Sequence, residues 1–100
     1  GLTASQGAFP DRVQVDWNPT LYADYYEVFR NTNNNPAAAA LLATVLEPGL
    51  EDTTVEPGRI YYYWVRVTTP VTTSVLSDPA AGGFDPRDRE LMRNRERGER

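Results

Sequence analysis

The side chains that carry most enzymatic chemistry are missing from this 100-residue chain, which has no Cys and no His. That excludes disulfides, thiolate and imidazole metal sites, cysteine nucleophiles and any relay that passes a proton through imidazole. Paired carboxylates are the one acid–base device left, and Asp11, Asp16, Glu51 and Asp52 are available for it. Their setting points elsewhere. Asp11 and Asp52 adjoin expected strand ends, where Asp side chains cap turns, and Asp16 alternates outward from the face of Val13 and Trp17. No dense Asp-x-Asp-x-Asp loop offers a calcium cage. We expect a non-enzyme with no catalytic residue, no metal site and no cofactor.

Binding chemistry is better supplied. Tyr25, Phe29, Tyr62 and Trp64, together with Arg66, are the residue types enriched at interaction hot spots, and flat rings also stack on sugars. They become a site only if two strands bring them to one face. The competing reading is that aromatic cross-strand pairs simply stabilise a sheet, at about 0.2 to 1 kcal/mol each. A second contact element is offered by Leu91 and Met92, the only large apolar residues in the charged stretch that ends the chain.

The elements that must position these residues follow from periodicity. Val13, Val15 and Trp17 alternate with Gln14 and Asp16, the period of a half-buried strand, and Asn18-Pro19-Thr20 ends it. Tyr25 to Arg30 is a second strand rich in aromatic and β-branched residues. Beyond the polar loop Asn31 to Pro36, the segment Ala37 to Val45 has a helical composition but the length of a strand; we assign Leu41 to Val45 as a strand. Glu51 to Val55 follows, then the turn Glu56-Pro57-Gly58. Ile60 to Thr68 is almost pure strand formers and must be central, with Tyr61, Tyr63, Val65 and Val67 on one face and Tyr62, Trp64 and Arg66 on the other. A last strand is expected near Thr73 to Ser77, closed by Asp78-Pro79.

Six or seven short strands separated by turn signals describe an all-β sandwich. At 100 residues there is material for one core, and no apolar run approaches the roughly 20 residues of a membrane helix. Residues 1–84 form the domain and 85–100 a charged tail or linker. Asp85-Pro86-Arg87-Asp88 reads as a helix start, so the tail is expected to be partly helical. All ten basic residues are Arg. Four of them face nine acids within residues 1–84, whereas six face five acids in the tail. An acidic body repels phosphates and anionic lipid, so we expect neither nucleic acid binding nor membrane insertion.

These residues also carry a family resemblance. Val13-Gln14-Val15-Asp16-Trp17, Tyr26-Glu27-Val28-Phe29-Arg30, Asp52, Val55-Glu56-Pro57-Gly58-Arg59-Ile60-Tyr61 and Ser74-Val75-Leu76-Ser77-Asp78-Pro79 together resemble a fibronectin type III domain of the microbial secreted or cell-surface type. The resemblance covers about Thr3 to Gly83. It implies a sandwich of about seven antiparallel strands, with Trp17 as the buried indole of the second strand and Tyr61 as the tyrosine-corner residue. It also implies an extracellular setting and the strand adjacency that would gather Tyr25, Phe29, Tyr62, Trp64 and Arg66 into a solvent-facing patch. The Arg-Gly-Asp of the family's adhesive members is absent from the loop Thr69-Pro70-Val71-Thr72-Thr73, and Arg97-Gly98-Glu99 lies outside the domain.

The expected function is a non-catalytic spacer or interaction module of a larger secreted or cell-surface protein, its partner a neighbouring domain or another protein. Two alternatives stand beside it: a carbohydrate-binding accessory domain of a polysaccharide-degrading enzyme, and a self-assembling extracellular structural subunit. The first requires exposed coplanar rings and the second requires concentration-dependent self-association.

Overall fold

The computed structural model describes residues 2–7, 11–74 and 76–83. Among these residues seven strands form two antiparallel sheets: β1 (Thr3–Ala4), β2 (Val13–Asp16), β3 (Tyr25–Asn31), β4 (Ala40–Val45), β5 (Leu50–Asp52), β6 (Ile60–Thr68) and β7 (Ala80–Gly83). The smaller sheet runs β1-β2-β5 and the larger β4-β3-β6-β7. This is the expected all-β sandwich. The helix anticipated in the tail, and with it Leu91 and Met92, lies outside the described residues.

The core sits between the sheets. Val13 and Val15 project from β2, Tyr26 and Val28 from β3, and Tyr61, Tyr63 and Val65 from β6, and Val55 joins them. Each such side chain contributes about 1.5 to 3 kcal/mol by leaving water. Three of the rings are tyrosines, so each brings a hydroxyl that burial would orphan without a partner. The Tyr61 hydroxyl accepts from the Glu56 amide at 3.0 Å, the expected tyrosine corner, and the Tyr26 hydroxyl does the same for the Thr20 amide at 2.8 Å. Tyr63 donates to Asp52 at 2.7 Å.

Three expectations change in detail. The strand expected over Glu51 to Val55 is shorter and earlier, because the Asp52 side chain takes the Thr54 amide and hydroxyl and turns the chain. The last strand among the described residues is Ala80–Gly83, later than the expected Thr73 to Ser77. In the earlier stretch the Ser74 and Ser77 hydroxyls accept from the Val67 and Val65 amides, at 2.9 and 3.0 Å, where a regular ladder would use carbonyls. Ala and Gly are poor strand formers, and β7 exists because its glycines fit where a side chain cannot: a Cβ on Gly82 would lie 2.7 Å from the Ala4 Cβ and 2.8 Å from the Val13 Cγ1. Finally, Trp17 is half-buried just past the end of β2, packed edge-on against Tyr26 with ring centroids 5.5 Å apart. Its indole nitrogen is buried without a hydrogen-bond partner.

The first and last strands close the sandwich. Gln6 and Gly83 form a parallel bridge, with the Gly7 amide donating to the Gly83 carbonyl at 2.9 Å and the Gly83 amide to the Ser5 carbonyl at 3.1 Å.

Candidate functional site

The carboxylates available for acid–base chemistry are all engaged. Asp52 is the one buried charged residue among those described. Its Oδ2 accepts from Arg30 Nη1 at 2.8 Å and from the Tyr63 hydroxyl at 2.7 Å, and its Oδ1 from the Thr54 hydroxyl at 2.7 Å and amide at 3.1 Å. Burial alone would raise its pKa, but the bonds from Thr54, Tyr63 and Arg30 outweigh it and hold the group below the ordinary aspartate value. Burial and the adjacent carboxylate push the Tyr63 phenol up, so it stays protonated as a donor. Arg30 also lies over the Tyr61 ring, 4.9 Å from its centroid. The cluster therefore ties β3, β5 and β6 together across the two sheets, and no substrate can reach its carboxylate. Asp11 and Glu51 contact Arg12 at 2.9 and 3.5 Å, and Asp16 accepts from Gln14 at 3.0 Å. Among the described residues no group of three or more acidic side chains could hold a metal ion.

The aromatic residues assemble as a face but not as an open one. Register sets Phe29 directly opposite Trp64, Glu27 opposite Arg66, and Tyr62 opposite Asn31. Adjacency is thus as the family resemblance implies. Trp64, however, is only 1% exposed, whereas a solvent-facing ring was expected. Beside it, Arg66 lies over the Phe29 ring, 5.0 Å from the centroid, and bonds Glu27 Oε1 through Nε and Nη2 at 3.0 and 2.9 Å. Phe29, Tyr62 and Arg66 are partly buried, and Tyr25, at the end of the row, is 36% exposed. A large indole left on an outer face is costly while wet, and here it is covered, so it offers sugars no stacking platform.

Exposed apolar surface gathers instead at one end of the sandwich. Tyr25 begins β3 opposite Thr68, which ends β6, and Tyr26 lies opposite Val45, which ends β4. Leu50 opens β5 opposite Val15, one residue before the end of β2. The loops 17–24, 46–49 and 69–73 therefore leave the sheets together. The Asp24 amide donates to the Thr68 carbonyl at 2.7 Å and fastens the first of these loops beside the third. Their tips carry Leu21 and Tyr22, each 76% exposed, Leu46 at 75% and Val71 at 92%. Tyr22 holds a left-handed backbone, φ 64°, which costs a residue with a Cβ about 1 to 2 kcal/mol. Strand periodicity gives no warning of this cluster, since loop tips have no period. The sequence signal is a bulky apolar pair, Leu21-Tyr22, placed after a Pro-Thr turn where polar residues are usual.

Below these loops, beside Trp17, lies a cleft of about 310 Å³ lined by Leu2, Tyr26, Val65, Val67 and Leu76. Its two serines, Ser74 and Ser77, accept from the Val67 and Val65 amides of β6.

No family model matches the sequence, and no curated protein is similar to it. Solved structures are similar. An Fn3-like protein from Clostridium thermocellum is 26% identical over 84% of this chain and 88% of that one, with a TM-score of 0.74. Pectate lyase Pel3 from Pectobacterium carotovorum matches 80% of this chain at 19% identity and a TM-score of 0.71. A β-1,2-glucanase from Parabacteroides distasonis matches 86% at 19% identity and a TM-score of 0.66. This chain spans only 25% and 13% of those two enzymes. Two sheets, a tyrosine corner and these likenesses agree: the chain has a fibronectin type III-like fold.

Proposed function

We propose that the chain is a non-catalytic interaction module of a larger secreted or cell-surface protein, and that it contacts a neighbouring domain or protein partner through the loop pole at Leu21, Tyr22, Leu46 and Val71. The observation that carries this reading is the convergence of four exposed apolar tips from three loops on one end of the sandwich. Contiguous apolar surface on a small domain marks an interaction site, and a strained Tyr22 backbone is tolerated where presenting the ring matters. Tyr25 adjoins this pole from the end of β3. Phe29, Tyr62, Trp64 and Arg66 then serve as the packed outer layer of the sheet that holds the loops in place.

A photo-crosslinking side chain placed at Val71 or Tyr22, with the protein in its native setting, tests the reading. Discrete adducts from the pole, and none from Thr53 at the opposite end, are expected. Equal, diffuse labelling at all three positions would refute it.

A second reading is favoured by the likeness to a pectate lyase and a glucanase: an accessory domain within a polysaccharide-degrading enzyme. Affinity electrophoresis through polygalacturonate and β-1,2-glucan distinguishes the two. Retardation that survives Trp64→Phe but is lost with Tyr22→Ser would make the pole a glycan site; unretarded migration in both gels leaves protein contact as the role.

A further inference from the structure

Sheet edges carry rows of unpaired amides and carbonyls, and proteins protect them with short strands, charge, proline, bulges or a cover. The smaller sheet ends at β1, two residues long, and at β5, three residues long with Glu51 and Asp52. β7 is joined to the opposite sheet by the Gln6–Gly83 bridge. β4 has six residues, pairs on one side only among the described residues, and contains neither charge nor proline. Its one protective feature is the bulge at Leu42, where the register with β3 slips between Val28 and Phe29. Ala43 to Val45 beyond it remains regular, and Leu41, 53% exposed, extends the outer row that Phe29 and Trp64 begin.

We propose that β4 is the docking edge for β4 of a second copy of this chain, paired antiparallel about a two-fold axis. Charge selects this occupant. The chain has a formal net charge of −4, so two copies repel over most of their surfaces. From Asn31 to Leu46, sixteen consecutive residues carry no charge at all, and β4 lies within them. Here two identical acidic chains meet with no like charges opposed. An isologous strand pair is also self-complementary by construction, because each edge supplies the donors and acceptors the other lacks. Strand pairing of this length buries far less than the roughly 1,000 Å² of a stable interface, so the dimer is weak, with half-association at about 0.1 to 1 mM.

Sedimentation velocity of the full chain over that range, in low and high salt, tests this. Mass should rise towards the dimer with concentration, and more steeply in high salt, where net repulsion is screened. Thr44→Lys, at an exposed position of the edge, should weaken association at least tenfold, and Leu41→Glu should act alike from the other half of the strand. Val71→Ser at the loop pole should leave it unchanged. Amide exchange should slow in β4 as concentration rises. A strictly monomeric chain at about 1 mM would overturn the proposal. So would association that high salt abolishes, or that Val71→Ser removes while Thr44→Lys does not.

Discussion

Replacing Asp52 by Asn tests whether the cross-sheet cluster stabilises the fold as an ionised hub. The carboxylate accepts four hydrogen bonds, two on each oxygen. An amide has one acceptor oxygen. With that oxygen kept towards Thr54, the new NH2 faces Arg30 and Tyr63; the phenol can rotate and accept from it, but the guanidinium has only donors. Charge-assisted bonds are worth about 1.5 to 3 kcal/mol each, and breaking a buried pair costs about 3 to 5. The Arg30 side chain is 25% exposed, so water recovers part of its loss. The expected destabilisation is about 2 to 4 kcal/mol, within the roughly 5 to 15 that a domain has to lose. The assay is urea denaturation of both proteins between pH 7 and pH 2.5. Asp52 titrates below its ordinary value when folded, so its contribution is complete above the unfolded value of about 3.9 and is lost as pH falls through the lower folded one. The gap between wild type and Asp52→Asn should therefore narrow in acid. Two curves that stay parallel down to pH 2.5 would refute the hub, as would a neutral-pH cost below about 0.5 kcal/mol.

Other substitutions probe separate parts of the molecule. Gly82→Ala pushes a methyl into Ala4 and Val13 and should cost about 1 to 3 kcal/mol, read as a fall of several degrees in Tm; an unchanged Tm would mean that β1 moves aside freely. Tyr22→Gly should stabilise by about 0.5 to 1 kcal/mol, the relief of a left-handed backbone less the added freedom of glycine when unfolded. Destabilisation on that change would show that the ring is packed in solution. Trp64→Ala should cost about 3 to 5 kcal/mol although the residue lies outside the inter-sheet core, and a cost below about 1 would mean that its cover is absent in solution.

The parts of this molecule that are legible in its sequence are those with a period. Val13 and Val15 alternating with Gln14, and the unbroken run Ile60 to Thr68, make β2 and β6 readable, and the opposite faces of β6 follow from alternation alone. Pro57-Gly58 gives the turn, and Gly58 does adopt the positive φ of 78° that such a turn uses. What stays hidden depends on tertiary contact. Nothing local marks Ala80–Gly83 as a strand, since its reason is the close approach of Ala4 and Val13. Exposure is equally unreadable: alternation puts Trp64 on the outward face, yet whether that face is wet depends on how its neighbours fold over it. The Arg30–Asp52–Tyr63 cluster joins residues up to 33 positions apart on three strands, and no spacing rule announces it.

The parallel bridge between the first and last described segments of the sandwich bears on how the domain responds to tension. The segment from Thr3 to Gly7 and strand β7 run side by side in the same direction, joined by the Gly7, Gly83 and Gln6 hydrogen bonds. A pull that separates the amino end from the carboxyl end slides these segments past each other and loads those bonds together in shear, whereas a hairpin pulled from its open end would lose them one at a time. The sandwich should thus yield in a single abrupt step at its terminal clamp, and Gln6→Ala, which removes the 2.9 Å bond to the Ala81 carbonyl, should lower the rupture force in single-molecule pulling. A module held this way transmits load along its length through the terminal clamp.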